Sequence, residues 1–370
     1  RLLYLSRGID HPFSMPDRKD EIGEMARALD RLADGLRRTR EFSAAVGRGQ
    51  FDATYTPLSE EDVLGKTLLA MRDDLASYEK EMEAKVEERT ETLSKQTAQL
   101  EVQREEIGRL YNDLTSSIDY ARRIQGAILP SEPNRKLIFD RNFVLYMPRD
   151  GVSGDFPWFH KLDAWRMFAA VDCTGHGVPG AFMSLLGHNA LQHIGKVYTK
   201  PGKILDRLNE LARTVLHRGE GSGLDAADQV PDGMDIGLIS INLEEEILEY
   251  AGANSPAYIV RNGEVIELKP DKRAIASFEP GTHAYTTHKV PLHDGDMVYC
   301  ASDGYADQFG GPKGRKFMRK RFRGLLSEMA VMPVEEQEDQ LHSRIENWRR
   351  EAEEDQVDDI LVCGVRIRLG

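Results

Sequence analysis

Four short motifs between residues 153 and 360 place an aspartate at the end of an apolar stretch or in the turn beside one. They are Ser153-Gly154-Asp155-Phe156, Val171-Asp172-Cys173-Thr174-Gly175-His176-Gly177, Ala301-Ser302-Asp303-Gly304 and Val357-Asp358-Asp359-Ile360. An aspartate that ends a buried strand is costly unless it is paired with a cation or bound to a metal. Turn chemistry explains any one of the motifs, because Asp-Gly is a common way to leave a strand. The four motifs together predict a convergent cluster of carboxylates.

The ligand types and the composition of the chain narrow the chemistry of such a cluster. Carboxylates without a set of thiolates or imidazoles favour Mg²⁺ or Mn²⁺. The three cysteines, at positions 173, 300 and 363, are too few and too scattered for a disulfide framework or a zinc site. Lys and Arg number 49 against 62 Asp and Glu, a net charge of -13. This balance argues against nucleic acid as the main partner, because phosphate binding requires a basic surface.

Short apolar stretches and amphipathic stretches alternate in the region that carries these motifs. Hydrophobic residues make up 40% of the 370-residue chain, which is enough for a sizeable core. Strands are predicted over 167–173, 235–243, 249–260, 296–304 and 359–367. Helices are predicted over 181–195 and 201–218. Strands that cluster with helices between them predict a layered α+β domain.

The order of the motifs along the chain resembles that of one phosphatase family. The segments S-G-D-F, V-D-C-T-G-H-G-V-P-G-A-F-M-S, A-G-A-N-S-P-A, L-x-x-G-D, S-D-G and D-D-I are similar to the SpoIIE-like branch of the metal-dependent (type 2C) serine/threonine phosphatases. The likeness runs from 121 to 368 and includes an A-R-x-I-Q segment ahead of Leu129-Pro130. It implies an α+β fold in which two antiparallel β-sheets are sandwiched between helices, with two Mn²⁺ or Mg²⁺ ions at one edge.

The resemblance assigns metal-binding roles to individual residues. Asp172 would bridge both ions, and the main-chain carbonyl of Cys173 would bind one of them. Asp303 and Asp358 would hold the other ion. Because the aspartate is doubled, Asp359 is the alternative to Asp358.

Three further residues are given roles near the metals. Asp155 would contact the metal ligands without binding a metal itself, or it would bind a metal-bound water. Asp232 lies where some members of the family bind a third, looser metal, although its loop is also an ordinary turn. His176 lies close to Asp172 in sequence and could protonate the leaving oxygen. A plain role in the turn that starts a helix explains His176 better, since related sequences resemble this stretch with lysine there.

The chemistry that two such ions support is phosphate ester hydrolysis. Two cations about 3.5–4 Å apart clamp phosphoryl oxygens and lower the pKa of a water between them. Attack on phosphorus is then in line, and no covalent phosphoenzyme is required. The sequence contains no Cys-x5-Arg loop and no Walker motif.

A basic segment comes after the third acidic motif. Seven lysines and arginines lie between 313 and 323 with no acid among them. This segment could dock an acidic partner or the surroundings of the phosphate. A solvated helix face with Phe317 and Phe322 buried is the alternative interpretation. The arginine that binds phosphate in the eukaryotic enzymes has no clear counterpart in the sequence.

The first part of the chain has the pattern of a helical signalling module. Residues 21–39 form an amphipathic stretch whose opening, together with Asp20, reads D-E-I-G, and a looser copy begins at D-V-L-G, residues 62–65. The opening resembles the second helix of HAMP domains, dimeric relays found just inside bacterial receptor membranes. We interpret 1–78 as a HAMP-like region, possibly tandem with a truncated first unit. Ordinary amphipathic helices are the alternative.

A heptad pattern connects this region to the catalytic part. Apolar residues recur every seven positions at 86, 93, 100, 107, 114, 121 and 128, whereas the companion positions include Gln96, Gln103 and Ser117. This spacing indicates a coiled coil over 79–130, and we expect a parallel homodimer. Proline at 130 should end the helix. The phosphatase domain would then span 131–370.

The resemblance and the helical module together suggest a cellular role. We expect a phosphorylated small regulatory protein of the anti-sigma-factor-antagonist type as substrate. No apolar run is long enough to cross a bilayer. The chain begins at Arg1 without a methionine, so we expect a fragment whose membrane anchor lies upstream, on the cytoplasmic side of the inner membrane. The rival functions are a metal-dependent nucleotidyl cyclase and a catalytically inactive dimeric scaffold.

Overall fold

The computed structural model describes residues 18–216, 233–276 and 284–369, and these described residues fall into two compact units that divide between Arg109 and Leu110. The helices are α1 (Glu21–Gly47), α2 (Val63–Ile128), α3 (Glu132–Ile138), α4 (Gly177–Ile194), α5 (Pro201–Leu216), α6 (Gly304–Asp307), α7 (Arg319–Met329) and α8 (Val334–Arg350). The strands are β1 (Asn142–Met147), β2 (Phe156–Leu162), β3 (Trp165–Cys173), β4 (Met234–Asn242), β5 (Ile247–Ala253), β6 (Ala257–Arg261), β7 (Glu264–Leu268), β8 (His288–Pro291), β9 (Met297–Ala301), β10 (Phe309–Gly310), β11 (Arg315–Lys316) and β12 (Ile360–Arg366).

The two long helices of the first unit begin in the same way. The side chain of Asp20 accepts a hydrogen bond from the N–H of Gly23 at 3.1 Å, and Asp62 accepts one from Gly65 at 2.9 Å. Both are N-cap contacts, which satisfy an otherwise unpaired helical N–H. A side chain on Gly23 would collide with the carbonyl of Arg18, and one on Gly65 would approach Asp62. The repeated D-x-x-G of the sequence is therefore a capping turn that requires glycine.

The segment between α1 and α2 packs back onto α1. The rings of Phe42 and Tyr55 lie 5.1 Å apart, and the hydroxyl of Tyr55 lies 2.9 Å from that of Thr39. Gly35 leaves room for Leu58. Helix α2 ends at Ile128, immediately before Leu129-Pro130 as proline chemistry predicts.

Two five-stranded antiparallel sheets build the second unit, which confirms the predicted fold class. The first has the order β1-β12-β9-β6-β7 and the second the order β2-β3-β4-β5-β8. The expectation of one strand over 249–260 was wrong. Strand β5 ends at Ala253 and β6 begins at Ala257 in the other sheet. Asn254 lies between them with a φ of 54°, so the chain turns there and changes sheet.

Alternate side chains of each strand enter different apolar layers. Phe168 and Cys300 lie between the two sheets. Met167 faces α4 and α5 on the far side of the second sheet, whereas Tyr299 faces α7 and α8 on the far side of the first. These period-2 patterns produce a four-layer arrangement of helices, two sheets and helices.

Among the described residues, no helix contains a stretch that is both long and apolar enough to span a membrane.

Candidate active site

The second sheet brings three aspartates to one of its edges. Asp172 is next to last in β3 and pairs directly with Asp235, the second residue of β4. Asp155 immediately precedes β2, which pairs with β3 on its other side. Because these neighbours are antiparallel, the end of β3 and the starts of β2 and β4 lie at the same edge.

The first sheet brings its own acidic motifs to a corresponding edge. Asp303 comes directly after Ser302 at the end of β9, and Asp358 and Asp359 precede β12, which is the antiparallel neighbour of β9. A side chain at position 304 would overlap the carbonyl of Asp359. Gly304 therefore allows the turn after Asp303 to lie against the start of β12.

The carboxylate of Asp359 is hydrogen-bonded to main-chain groups, whereas Asp358 is exposed to solvent. Asp359 is buried, and its two carboxylate oxygens accept hydrogen bonds from the N–H groups of Arg149 at 2.7 Å and Gly154 at 2.9 Å. Asp358 is exposed and accepts the N–H of Asp359 at 2.9 Å. This arrangement favours Asp358 over Asp359 as the side chain that holds a cation.

The main chain of Cys173 lies at the acidic edge while its thiol does not. The side chain is buried in the core beneath α4 and α5. A side chain on Gly154 would come within 2.9 Å of the Cys173 carbonyl oxygen, so the two segments approach closely only because residue 154 is glycine. The Cys173 carbonyl is thus the part of the residue that lies near the aspartates.

The carboxylates influence one another strongly. Burial and then the negative charge of Asp172 raise the pKa of Asp155 well above its usual value, and a hydrogen bond with Ser302 opposes this rise. Burial and then the charges of Asp303 and Asp358 raise the pKa of Asp172 well above its usual value. Like charges that raise each other's pKa in this way lie close together.

The outer members of the cluster show the same effect. Desolvation, followed by the charges of Asp307 and Asp358, raises the pKa of Asp303. Desolvation is also the main cause of the raised pKa of Asp358. The acidic cluster therefore contains more negative charge than the surrounding protein neutralises, and divalent cations would relieve it.

The donor set fits divalent cations that prefer oxygen ligands. The edge offers aspartate oxygens and a carbonyl, and one oxygen of the buried Asp155 carboxylate has no hydrogen-bond partner. In the ranges that the structure describes, no three His, Cys, Asp or Glu side chains already form a closed ligand group. The fit rests on ligand chemistry, the unpartnered Asp155 oxygen and the mutual repulsion of the aspartates.

His176, another predicted site residue, pairs with Asp150 and not with one of the candidate metal ligands. His176 is exposed, and its Nδ1 lies 2.8 Å from a carboxylate oxygen of Asp150. It occupies the N-cap position of α4 without a capping side-chain bond, as expected of a residue in the turn before a helix. Asp232 lies outside the described residues.

Other residues beside the aspartates were missed by the sequence-based prediction. A cavity of about 60 Å³ lies against the cluster, lined by Asp172, Asp235, Asn254, Ser302, Asp303 and Arg319 among others. Asn254 donates a hydrogen bond to Asp235 at 2.9 Å. Asp235 shows the signal used for the other motifs, an acid at a strand end. Arg319 stood within the basic segment, but nothing in the sequence singled it out.

Comparison with known proteins decides the family. The family model of Stage II sporulation protein E (SpoIIE) matches residues 165–368. The chain belongs to the SpoIIE family. Its catalytic part is a PP2C-type phosphatase domain, and the phosphatase domain "SiaA-PP2C domain of Pseudomonas aeruginosa" is 32% identical, with a TM-score of 0.61. That match covers 69% of this chain and 98% of the SiaA domain.

A second SpoIIE-family structure is more distant. The PP2C phosphatase domain of SpoIIE from Bacillus subtilis, solved with a fragment of its regulatory domain, is 19% identical with a TM-score of 0.49. The match covers 62% of this chain and 63% of that chain. A comparison with curated proteins gave no match.

Proposed function

We propose that this SpoIIE-family member is a serine/threonine phosphoprotein phosphatase that works with two Mn²⁺ or Mg²⁺ ions. The observation that carries the proposal is the convergence of acidic motifs from both sheets on one edge, where their charges raise each other's pKa. Family membership supports phosphate ester hydrolysis over the nucleotidyl cyclase alternative. An inactive scaffold would have no need of this mutually repelling set of aspartates.

Individual residues of the acidic edge would have different roles in the reaction. Asp172, Asp303 and Asp358, with the carbonyl of Cys173, would hold the cations. When bound, these ions would polarise the phosphoryl group and make water a competent nucleophile near neutral pH. Asp155 would orient water through its unpaired carboxylate oxygen. Asp359 would hold the turn that contains Gly154 and Asp155 in place, because its carboxylate accepts the N–H of Gly154.

The proposed substrate is a phosphorylated small regulatory protein of the anti-sigma-factor-antagonist type. The support for this class is family membership. The structure adds that Asp303 and Asp358 are exposed, so a phosphorylated side chain on another folded protein could reach them.

The direct experiment is a substrate screen with the full chain. We expect release of phosphate from phosphoserine or phosphothreonine peptides with Mn²⁺ or Mg²⁺ and none after chelation. Asp172→Ala should abolish it, whereas Asp339→Ala, an exposed position on α8, should not. Cyclic nucleotide formation from a nucleoside triphosphate would favour the cyclase instead, and inactivity towards every substrate would favour the scaffold.

The helical part is proposed to form a parallel dimer. The proposed domain division is 1–78 for the HAMP-like region, 79–130 for the linker and 131–370 for the phosphatase domain. The apolar residues of the heptad pattern on α2, here called the seam residues, are largely exposed in the single chain. The exposed fractions are 59% for Val86, 61% for Leu93, 64% for Leu100 and 67% for Ile107. Apolar side chains spaced seven apart and left in solvent along one helix suit a second copy of the same helix.

Control by the helical part is proposed to pass through the end of α2. Gln125 is buried, and its amide donates hydrogen bonds to the Ser153 carbonyl at 2.7 Å and the Ser184 hydroxyl at 2.8 Å. Its carbonyl accepts the N–H of Ser153 at 3.2 Å. Ser153 begins the turn that carries Asp155, so a shift of α2 would act directly on the acidic edge.

A further inference from the structure

We propose that Arg319 is the phosphate-binding residue of this phosphatase, gripping the phosphoryl oxygens of the substrate from the first turn of α7. The inference rests on the proposed function and assigns a substrate contact to a residue outside the acidic motifs. Arg319 lines the same cavity as Asp172, Asp235 and Asp303. Of the seven basic residues between 313 and 323, it is the one that lines this cavity.

The other basic side chains of the segment have different environments. Lys316 pairs with Asp307 at 2.8 Å, and Arg323 pairs with Glu267 at 2.6 Å. The guanidinium of Arg321 lies over the ring of Trp348, 4.7 Å from its centroid. These three side chains have structural partners, whereas Lys320, directly beside Arg319, is exposed and does not line the cavity.

Arg319 lies beside the acidic cluster, but among the described residues it is not paired with any of the aspartates. Asp235 and Asp303 line the same cavity as Arg319. Within the described part of the chain Arg319 forms neither an ion pair nor a side-chain hydrogen bond. Asp235 instead accepts a hydrogen bond from the side-chain amide of Asn254 at 2.9 Å. An arginine built to neutralise a carboxylate would normally form a bidentate pair with it.

The backbone ahead of Arg319 is fixed relative to Asp303. Met318 adopts a φ of 75° and donates its N–H to the carbonyl of Ala306 at 2.7 Å. Ala306 belongs to α6, the short helix that begins directly after Asp303. Phe322, one turn beyond Arg319, is buried with its ring 5.0 Å from that of Tyr305. The guanidinium is therefore carried on a backbone held in place from both sides.

The chemistry of the guanidinium explains what this position would provide. Cations held by the aspartates would neutralise the carboxylates, and the charge of Arg319 would remain for an anion that enters the cavity. The planar guanidinium matches phosphoryl oxygens with paired N–H donors, which a lysine ammonium does not reproduce.

The test compares Arg319→Ala and Arg319→Lys with Lys320→Ala as the matched control. Each full-length variant is assayed with p-nitrophenyl phosphate, which presents little beyond the phosphoryl group, and with a phosphoserine peptide. Inhibition by inorganic phosphate is measured alongside, and Mn²⁺ affinity is measured by calorimetry.

Arg319→Ala should raise KM for both substrates and the inhibition constant of inorganic phosphate by about tenfold or more. Arg319→Lys should recover part of this loss, because it keeps the charge but not the paired donors. Mn²⁺ affinity should stay within about twofold for all variants, and Lys320→Ala should behave as the parent.

Three results would overturn the assignment. Unchanged phosphate inhibition in Arg319→Ala would show that the residue does not touch the phosphoryl group. Weakened Mn²⁺ binding with unchanged KM would make Arg319 a structural counter-charge for the aspartates. Equal losses for Arg319→Ala and Lys320→Ala, on the peptide alone, would indicate general docking to a basic surface. A parent protein that hydrolyses neither substrate would instead refute the proposed function, and this assignment with it.

Discussion

Replacing Gln125 with alanine removes the buried amide that joins the end of α2 to the acidic edge. The amide makes hydrogen bonds of 2.7 Å and 3.2 Å with the carbonyl and N–H of Ser153, and one of 2.8 Å with Ser184. Ser184 also donates to the carbonyl of Ala181 at 2.9 Å, so its hydroxyl would keep a partner. The N–H and carbonyl of Ser153 would lose their contacts with Gln125.

The loss of stability can be estimated from these two main-chain groups. A buried donor or acceptor left without a partner costs about 1–3 kcal/mol. Two such groups, with some relief from water entering beside the exposed neighbours of Gln125, give a loss of about 2–4 kcal/mol in the free energy of unfolding. Arg123→Ala is the matched control on the same helix. Among the described residues it removes an exposed contact with Tyr120, in which the guanidinium carbon lies 5.6 Å from the ring centroid, and about 0.5 kcal/mol is expected for this loss.

Two measurements on each variant test this expectation. Denaturant unfolding of the catalytic unit gives the stability difference, and Mn²⁺ titration of phosphatase activity gives the concentration needed for half-activation. We expect Gln125→Ala to lose stability and to need severalfold more Mn²⁺, because Ser153 leads into the Asp155 turn.

Two outcomes would refute separate roles of Gln125. Equal stability of Gln125→Ala and Arg123→Ala would mean that the amide contacts contribute nothing to folding. A clear stability loss with unchanged Mn²⁺ activation would mean that α2 is anchored at this point but does not control the metal site.

Three further predictions concern the metals and the helical part. Asp172→Ala should reduce the phosphatase rate about a thousandfold, roughly 4 kcal/mol in activation free energy, and an active or chelator-indifferent variant would reject the two-metal assignment. Replacing Leu100 and Ile107 with Asp should give monomers by light scattering, because charges would be buried at the seam; a monomeric parent at micromolar concentration would contradict the dimer. One residue inserted near Gln103 rotates the C-terminal part of the helix by about 100° and should change the rate or metal affinity severalfold, whereas seven inserted residues nearly restore the phase; equal activity in both would favour a passive spacer.

The fold class was predictable because strand and helix periods are visible in the sequence. Strands β3, β9 and β12 carry compact apolar runs, and proline at 130 marks the end of α2 where the structure ends it. The change of sheet within 249–260 was not predictable from the pattern, because the turn at Asn254 depends on a left-handed backbone conformation. Residues on both sides of that turn are apolar, so the sequence alone resembles one continuous strand.

The candidate site was predictable where residue type carried the signal. Aspartates at strand ends pointed to the acidic edge, and both sheets deliver them there. The contributions of Gln125 and Arg319 were not predictable in the same way, because they depend on contacts between segments far apart in sequence. Gln125 meets a residue 28 positions away, and Arg319 follows Met318, whose N–H bonds to the carbonyl of Ala306.

The proposed control contact, Gln125, and the proposed substrate contact, Arg319, lie on different parts of the acidic edge. Gln125 acts on Ser153, and the next residue, Gly154, is held by Asp359, so a movement of α2 would first disturb Asp155 and the start of β12. Arg319 is instead fixed through α6 to the end of β9. The two contacts begin at different residues, Ser153 for Gln125 and Ala306 for the backbone ahead of Arg319, so we expect their effects on the cluster to be separable. Changes along α2 should alter the Mn²⁺ concentration needed for activity while leaving phosphate inhibition unaltered. Changes at Arg319 should do the reverse, and a regulated phosphatase gains from this separation because its activity can vary while its recognition of phosphate stays constant.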